Sequence, residues 1–400
     1  MKEKPALRIG FVGSGFAARF HFEAVSRVVS VRPEVVGVHS PTKAHRDNFA
    51  KEREIRAYDE LESLIADSDV IHVLSPPSSH EEIAIKALSS DKHVVIEKPF
   101  TGYFGDGSAD FNGLSCSKEK AFAEAVASIE RILAAEAASA GTIFYAENLV
   151  YAPAVRKERE IIEKTGDQIL FMLAETSHNG SASKYYGYWS FSGGGSLMGK
   201  GVHPLSTIIY LKYVEGRTVR GRPIRPASVS SRIHAVTRSP RYRGSKFIRQ
   251  DYHDIEDFGM MHVVFEDDTI ADIVTSELVL GGVKNILEIC ATGHRSICNI
   301  NPNTAMQTFV PEGSHFSDIY TVEKISTKEG WTLTSPDENW FHGYQHEVEA
   351  FYSDILNGQA PESGSLLAAD TIAVVYAAYL SAERKGAEVP VPAFLRDFTK

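Results

Sequence analysis

The first third of the chain alternates short apolar runs with segments of helical spacing. Runs of strand length lie at 7–13, 34–38, 69–74, 92–96 and 141–145. Between them, apolar positions recur every three or four residues, as at 61–66 and 81–88, which indicates amphipathic helices. Strands that alternate with helices predict an α/β fold with a doubly wound parallel sheet, whose ligands lie at the carboxyl ends of the strands.

After residue 147 the pattern changes to alternation of apolar and polar positions. The clearest runs are 169–175, 260–265, 271–279 and 285–291. This period predicts strands of a sheet with one covered and one open face. We therefore predict two domains, residues 1–147 and 148–400. We also expect further copies of the chain to cover the open face, in a homodimer or homotetramer.

A glycine-rich segment, 101–117, separates the run at 92–96 from an alanine-rich helix that begins near Lys118. Its place after a strand end predicts a lid or a subunit contact. A mobile loop without a role is the equal alternative.

Composition narrows the class of protein. The chain has 400 residues, enough for two or three domains. Lys and Arg number 42 and Asp and Glu 52, and the resulting net charge of -10 disfavours nucleic acid and anionic membranes as partners. Three cysteines without a CxxC pair argue against a disulfide framework and a metal cluster. The N-terminus lacks the apolar run of a signal peptide, so we expect a cytoplasmic protein.

The first strand leads into a Gly-Ser-Gly turn and then a helical segment. Gly13 permits the sharp turn, Gly15 lets a pyrophosphate approach the backbone, and Ala18 lets the helix pack closely on the strand. Phe16 and Ala17 fall at the helix N-terminus, where free amides attract phosphates. The pattern predicts a dinucleotide site, and an ordinary glycine turn in a βα unit is the alternative.

The end of the second strand bears on the choice of cofactor. An acidic residue there would bind the ribose 2′-hydroxyl of NAD, but this chain has the segment HSPTK at 39–43. Without that carboxylate nothing repels a 2′-phosphate, and Ser40 and Lys43 could bind one. The sequence leans towards NADP or dual use. A simple capping role before the next helix is equally consistent with these residues.

Several motifs together resemble the Gfo/Idh/MocA oxidoreductases. They are the early GxGxxA, SPPSSH at 75–80, HVVIEKPF at 93–100, NLVYAPAVR at 148–156 and SGGGSLMGKGVH at 192–203. The resemblance implies a Rossmann domain followed by an α/β domain with a large, mostly antiparallel sheet. It also implies hydride exchange between NAD or NADP and a sugar, polyol or sugar acid. The residues that it places near the cofactor are Ser75, Pro76, His80, Glu97, Lys98 and Asn148.

Two basic residues are the predicted catalytic groups. Lys98 follows a strand end, where an ammonium can stabilise developing alkoxide charge, and Glu97 would position it or the ribose. His203 follows the glycine triplet on a predicted helix, and an imidazole can carry the hydroxyl proton near neutral pH. A surface Glu-Lys pair and a packed helical histidine are the structural alternatives.

The sequence departs from the family pattern four residues before His203. An aspartate is common there, whereas this chain has Gly199, followed by Lys200. The carboxylate that would orient the imidazole or bind substrate is therefore missing. Lys200 could replace it with a cation suited to an acidic substrate, or it could face solvent.

Other polar and aromatic side chains are weaker predictions for substrate contacts. Aromatic rings with polar tips bind sugars well, but they also fill cores. The further predicted contacts are Tyr151, His178, Tyr186 and Trp189. The spacing of the histidines fits no metal motif, so we predict no metal.

These observations predict an NAD(P)-dependent dehydrogenase acting on CH-OH groups. One alternative is an oxidoisomerase or redox-assisted lyase that retains its cofactor within one turnover, which the Gly199-Lys200 departure leaves open. An alternative of another class is a non-catalytic protein that senses dinucleotides.

Overall fold

The computed structural model describes residues 4–181, 183–302 and 306–394. The outermost residues of both predicted domains, 1–3 and 395–400, lie outside this range.

The first domain contains a parallel sheet of six strands in the order β3-β2-β1-β4-β5-β6. Its strands are β1 (Ala6–Val12), β2 (Arg32–His39), β3 (Arg56–Tyr58), β4 (Val70–Val73), β5 (His93–Glu97) and β6 (Ile143–Ala146). The prediction of a doubly wound parallel sheet is therefore confirmed. The chain order reverses between β1 and β4, and this is the switch point at which such sheets bind ligands. β6 ends at Ala146, next to the predicted boundary at 147.

Helices cover both faces of this sheet. They are α1 (Phe16–Ser26), α2 (Lys43–Arg53), α3 (Leu61–Asp67), α4 (His80–Leu88) and α5 (Lys118–Ala137). α5 begins where the side chain of Ser117 accepts a hydrogen bond from the amide of Lys120, at 3.2 Å. α2 ends at Arg53, and the next residue, Glu54, adopts a left-handed conformation with φ 55°.

The second domain is built on a sheet of seven strands, β12-β11-β7-β10-β9-β8-β15. The β7–β10 pair is parallel and the other pairs are antiparallel, in agreement with the expected mostly antiparallel sheet. A hairpin of β13 and β14 lies outside it. The strands are β7 (Ile169–Ser177), β8 (Pro226–His234), β9 (Phe258–Phe265), β10 (Ile270–Ser276), β11 (Lys284–Ala291), β12 (Arg295–Asn301), β13 (Gln307–Val310), β14 (Gly330–Leu333) and β15 (Val389–Pro390).

The helices of the second domain connect it to the first. They are α6 (Pro153–Thr165), α7 (Trp189–Ser192), α8 (Val202–Arg220), α9 (Glu338–Phe341), α10 (Tyr344–Asn357) and α11 (Ser365–Glu383). α10 packs on α1, and α11 packs on α5, α8 and β8. α11 is long and apolar enough to cross a membrane, but most of it is buried inside the protein.

The glycine-rich segment 101–117 is tied to the second domain. The amide of Tyr103 donates to the Tyr376 hydroxyl at 2.6 Å, and the Trp189 indole donates to the Tyr103 carbonyl at 2.8 Å. The amide of Gly113 donates to Asp254 at 2.8 Å. The segment therefore bridges the two domains at both ends of its length.

Candidate functional site

The turn after β1 forms a cradle of backbone amides. Gly13 has a φ of 117°, and a Cβ there would lie 2.5 Å from the carbonyl oxygen of Leu74, so only glycine fits. A Cβ on Gly15 would meet nothing within 4 Å, which leaves open space in front of the turn. Side chains do not cap the N-terminus of α1, so its first amides are free to bind an anion. The cradle therefore fits the pyrophosphate of a dinucleotide.

The other predicted residues of this helix have separate roles. Phe16 is 70% exposed beside the turn, whereas Ala18 is fully buried and lets α1 approach the sheet. Ala17 is half-buried between them.

At the end of β2, Ser40 is buried and Lys43 is exposed and paired with Asp47 at 3.0 Å. A cleft beside them is lined by Ser14, Arg19 and His45, among other residues. The cationic and polar character of this edge is compatible with either the ribose 2′-hydroxyl of NAD or the 2′-phosphate of NADP.

The segment after β4 contributes to the cradle and supports it from behind. Ser75 and Pro76 are accessible, and the Ser75 amide would lie 2.8 Å from a Cβ on Gly13. His80, a predicted cofactor contact, is instead buried. Its ring nitrogens lie 2.9 Å from the carbonyls of Pro99 and Ser75, so it ties the ends of β4 and β5 together. Burial lowers the pKa of His80.

Lys98 crosses from the end of β5 to the second domain. Its Nζ donates to the carbonyl of Gly199 at 3.1 Å and lies 5.8 Å from the centre of the Tyr186 ring. Its amide donates to the Glu97 carboxylate at 2.9 Å. Burial opposes the ammonium charge, but Tyr186, Glu97 and Glu147 outweigh burial and raise the pKa of Lys98. Lys98 is therefore a fixed cation at the border of the two domains.

His203 lies on α8 and is held by a carboxylate that the sequence analysis missed. Its Nδ1 lies 2.7 Å from Oε1 of Glu147, which is fully buried at the end of β6. The imidazole side chain itself is 17% exposed. The carboxylate that the family pattern places at position 199 is thus replaced by Glu147, which follows the end of β6. Glu147 could have been predicted in the same way as Lys98, because each is a charged residue directly after a strand of the parallel sheet.

The helix segment before His203 has unusual spacing. Residues Leu197–Gly201 form a π-helix, a feature common at functional sites. In that spacing the partner of the Gly199 carbonyl would be Pro204, which has no N–H, and Lys98 donates to this carbonyl instead. A Cβ on Gly199 would lie 3.3 Å from the Tyr186 ring. Tyr186 therefore takes much of the space that a side chain at 199 would need.

The glycine triplet before this segment is fixed by Glu256. Its carboxylate accepts the amides of Gly195 at 3.0 Å and Leu197 at 2.9 Å, and the Tyr379 hydroxyl at 2.8 Å. Burial raises the pKa of Glu256 to about 7, although these donors oppose the shift. The buried carboxyl therefore holds the start of the π-helical segment that leads into α8.

Lys200 does not face solvent or an open substrate space. Its ammonium is paired with Glu277, and both side chains are almost completely buried. Burial lowers the pKa of Lys200 to about 8, against the opposing effect of Glu277. Tyr252 also donates to Glu277, at 2.8 Å. The suggestion that Lys200 supplies a free cation for an acidic substrate is therefore wrong.

His178 lies next to this pair. Its Nδ1 accepts the amide of Gly180 at 3.0 Å and lies 3.9 Å from Glu277. Burial and the neighbouring Lys200 lower the pKa of His178, so the ring is neutral.

Three other residues predicted to contact cofactor or substrate lie in the interior, where their polar groups form hydrogen bonds within the protein. The Asn148 amide donates to the His342 carbonyl at 2.8 Å. Tyr151 is fully buried, and its hydroxyl accepts the Ser363 amide at 3.2 Å. Trp189 is also fully buried and donates to Tyr103. In the described part of the chain, no three His, Cys, Asp or Glu side chains are grouped to hold a metal ion.

Comparison with known proteins identifies the first domain. Residues 7–109 match the family model of the GFO_IDH_MocA oxidoreductases, described as an NAD-binding Rossmann fold. A similar curated protein is the glucose-6-phosphate 3-dehydrogenase of Bacillus subtilis (strain 168), 35% identical over 92 residues. That match covers 23% of this chain and 26% of the relative, so the aligned stretch is about a quarter of the relative's length.

Solved structures extend the likeness of fold to the whole chain. GenD2 from gentamicin A biosynthesis, in complex with NAD, has a TM-score of 0.78 at 18% identity, with 98% of each chain covered. The myo-inositol dehydrogenase of Lactobacillus casei, in complex with NAD(H) and myo-inositol, has a TM-score of 0.71 at 15% identity. That comparison covers 98% of this chain and 99% of the other.

The fold and the amide cradle define a two-domain protein with a dinucleotide-binding Rossmann domain. Over residues 7–109 the predicted resemblance to the Gfo/Idh/MocA oxidoreductases is confirmed.

Proposed function

We propose that this protein is an NAD(P)-dependent dehydrogenase that exchanges hydride between nicotinamide and a carbinol or ketone of a sugar, polyol or sugar acid. The observation that carries the proposal is the meeting of Lys98 with the helix of His203, while Glu147 holds the imidazole. The names of the similar proteins, a glucose-6-phosphate 3-dehydrogenase and a myo-inositol dehydrogenase, support the same class of substrate.

The residues that would hold the cofactor are those of the cradle. The amides at Gly13, Gly15 and the start of α1 would bind the pyrophosphate, beside Ser75 and Pro76. When bound, the nicotinamide ring supplies the acceptor or donor of the hydride.

His203 acts as the proton carrier in this proposal. When Glu147 accepts from Nδ1–H, the lone pair of the imidazole lies on Nε2. This nitrogen takes the hydroxyl proton as the carbinol is oxidised and returns it in the reverse direction. Glu147 then stabilises the imidazolium, as a buried carboxylate does in other acid–base pairs.

Lys98 acts on the reacting oxygen. Its ammonium can donate to the oxygen as alkoxide character develops, and its raised pKa keeps it charged for that role. The Gly199 carbonyl occupies one of its three protons and limits where the others point. Since Lys200 is paired with Glu277, its charge gives no preference for an acid over a neutral polyol.

For the cofactor, we propose that NADP is accepted as well as NAD. Ser40 and Lys43 replace the usual acidic residue, and Arg19 and His45 line the adjacent cleft. The ratio of kcat/KM for the two cofactors tests this, with Lys43→Ala expected to lower the NADP value selectively. A large preference for NAD that Lys43→Ala leaves unchanged would contradict it.

We also propose a cytoplasmic homo-oligomer that covers the open face of the second sheet. That face exposes Phe171, Leu173, Met260 and Ile297, which are between 37% and 52% accessible. Apolar residues clustered on one face are typical of an interaction surface. Sedimentation of the wild type and of Leu173→Asp tests the proposal, and a monomeric wild type would contradict it.

The activity is tested by absorbance of reduced nicotinamide with a panel of sugars, polyols and sugar acids. Turnover with at least one of them is expected, and His203→Asn should abolish most of it while dinucleotide binding persists. Tight dinucleotide binding without turnover on any member would instead favour a sensor.

A further inference from the structure

Behind the cradle, three buried side chains and the half-buried Glu97 form a continuous line of hydrogen bonds. The Tyr352 hydroxyl lies 2.9 Å from Nε2 of His72, and Nδ1 of His72 lies 2.9 Å from Nδ1 of His21. Nε2 of His21 lies 3.1 Å from Oε1 of Glu97. Tyr352, His72 and His21 are at most 2% exposed, so water does not compete for these contacts. We call these three side chains the relay.

The protonation states of His72 and Glu97 limit how the protons of the relay are arranged. Burial lowers the pKa of His72 far below its usual range, so this ring is neutral. Burial favours a protonated Glu97, but His21, Lys98 and His203 outweigh burial and lower the pKa of this carboxyl, so it is ionised. A carboxylate accepts only, and therefore Nε2 of His21 carries a proton.

One proton lies between the two Nδ1 atoms, and it can belong to either ring. If it belongs to His72, Nε2 of this neutral ring accepts from the Tyr352 hydroxyl, and if it belongs to His21, Nε2 of His72 donates to that hydroxyl. Both arrangements satisfy every contact, and in both His21 donates from Nε2 to Glu97.

The relay connects a helix of the cofactor cradle with a helix of the second domain. His21 lies on α1, the helix of the amide cradle, and Tyr352 lies on α10 of the second domain. The carboxylate at its end uses its second oxygen, Oε2, to accept the Lys98 amide. The proposed mechanism uses neither His21 nor His72.

We propose that the relay positions the Glu97 carboxylate, and through it Lys98, for the hydride exchange. This inference rests on the proposed function. His21, His72 and Tyr352 are positioning residues, since all three are buried and act on Lys98 only through Glu97.

The proton arrangement can be tested on the free protein without any turnover. Long-range ¹H–¹⁵N NMR of protein labelled at histidine reports which ring nitrogen is protonated, and His21→Gln and His72→Gln variants assign the signals. We expect a proton on Nε2 of His21, the nitrogen that faces Glu97. A proton on Nδ1 alone of His21 would overturn the proposal.

The positioning role is tested by the split between kcat and KM. His21→Leu removes the donor to Glu97 and should lower kcat by about ten- to hundredfold, as expected for a hydrogen bond to a charged group. His21→Gln offers an amide donor and should recover part of this loss. Tyr352→Phe should lower kcat less and shift the His72 signal, with KM for the dinucleotide unchanged in all three.

Tyr58→Phe is the matched control. It removes another buried hydroxyl of the first domain, one that donates to Asp67 at 2.7 Å outside the relay. It should change neither kcat nor the two histidine signals. Turnover of His21→Leu equal to that of the wild type would overturn the proposal. A wild type that binds dinucleotide and oxidises no substrate would refute the proposed function and leave the proton arrangement as a separate result.

Discussion

Replacing Glu147 with glutamine asks whether the buried carboxylate behind His203 takes part in proton transfer. The amide has nearly the same shape, so the packing at the end of β6 is kept, but the charge that stabilises an imidazolium is lost. In the structure, Oε1 of Glu147 and Nδ1 of His203 are 2.7 Å apart, and Glu147 is fully buried. A hydrogen bond to a charged group contributes about 1.5–3 kcal/mol, and each 1.36 kcal/mol of barrier is a factor of about ten in rate.

We therefore expect Glu147→Gln to lower kcat by about ten- to hundredfold, with little change in dinucleotide affinity. The assay is steady-state reduction of nicotinamide together with fluorescence titration of the cofactor. If the amide turns its NH₂ towards Nδ1, the imidazole is held in the tautomer that cannot accept a proton on Nε2, and the loss is larger.

Glu158→Gln is the matched control. Glu158 is also buried, and its Oε1 also lies 2.7 Å from a histidine nitrogen, Nε2 of His294, at a different place in the fold. It reports what the loss of a buried Glu–His contact does to stability alone. A Glu147→Gln enzyme whose kcat is within twofold of the wild type would refute the assigned role.

Three further outcomes are expected. Lys98→Ala should lower kcat by at least about tenfold and leave the dinucleotide Kd within about twofold, because the ammonium acts on the reacting oxygen. Gly13→Ala should weaken dinucleotide binding by at least about tenfold, because a left-handed φ of 117° strains alanine at the cradle. Hydrogen bonds to Glu158 and Asp167 outweigh burial and raise the pKa of His294, so its stabilising effect is full below about pH 6.5 and fades as pH rises through the raised value. The Tm difference between wild type and His294→Asn should accordingly be larger at pH 5.5 than at pH 9.

Each of these three predictions has a control variant or a result that would contradict it. Lys51→Ala removes an exposed lysine of α2 and should leave turnover unchanged. Gly221→Ala introduces a side chain at another left-handed position, φ 69°, with open space around it, and should leave cofactor binding unchanged. A Tm difference for His294→Asn that grows with pH would contradict the sign given above.

Much of the fold could be predicted because its signals are local. Apolar runs and helical spacing identify β1, β2, β4, β5 and β6 in the right order, since each needs only its own residues to be recognised. β3, with three residues, is too short to show a period. Alternation identified β7, β9, β10 and β11 of the second sheet, whereas the short β13 and β15 carry no comparable pattern.

The site was predicted less completely because its contacts join distant parts of the chain. His203 and Glu147 are separated by 56 positions, and His21 and His72 by 51. Sequence spacing therefore gives no sign of either pair. Lys200 was predicted from its place on the helix, but its partner Glu277 is 77 positions away. For Tyr151 the residue type fits a sugar site and a core equally well, and only the fold decides between them.

The central claim is that Lys98 and His203 act on the same oxygen atom. The most direct measurement is a crystal structure with oxidised dinucleotide and a polyol identified as a substrate. We expect the carbinol oxygen within about 3.2 Å of both Nζ of Lys98 and Nε2 of His203. A carbinol oxygen out of reach of either atom would contradict the mechanism.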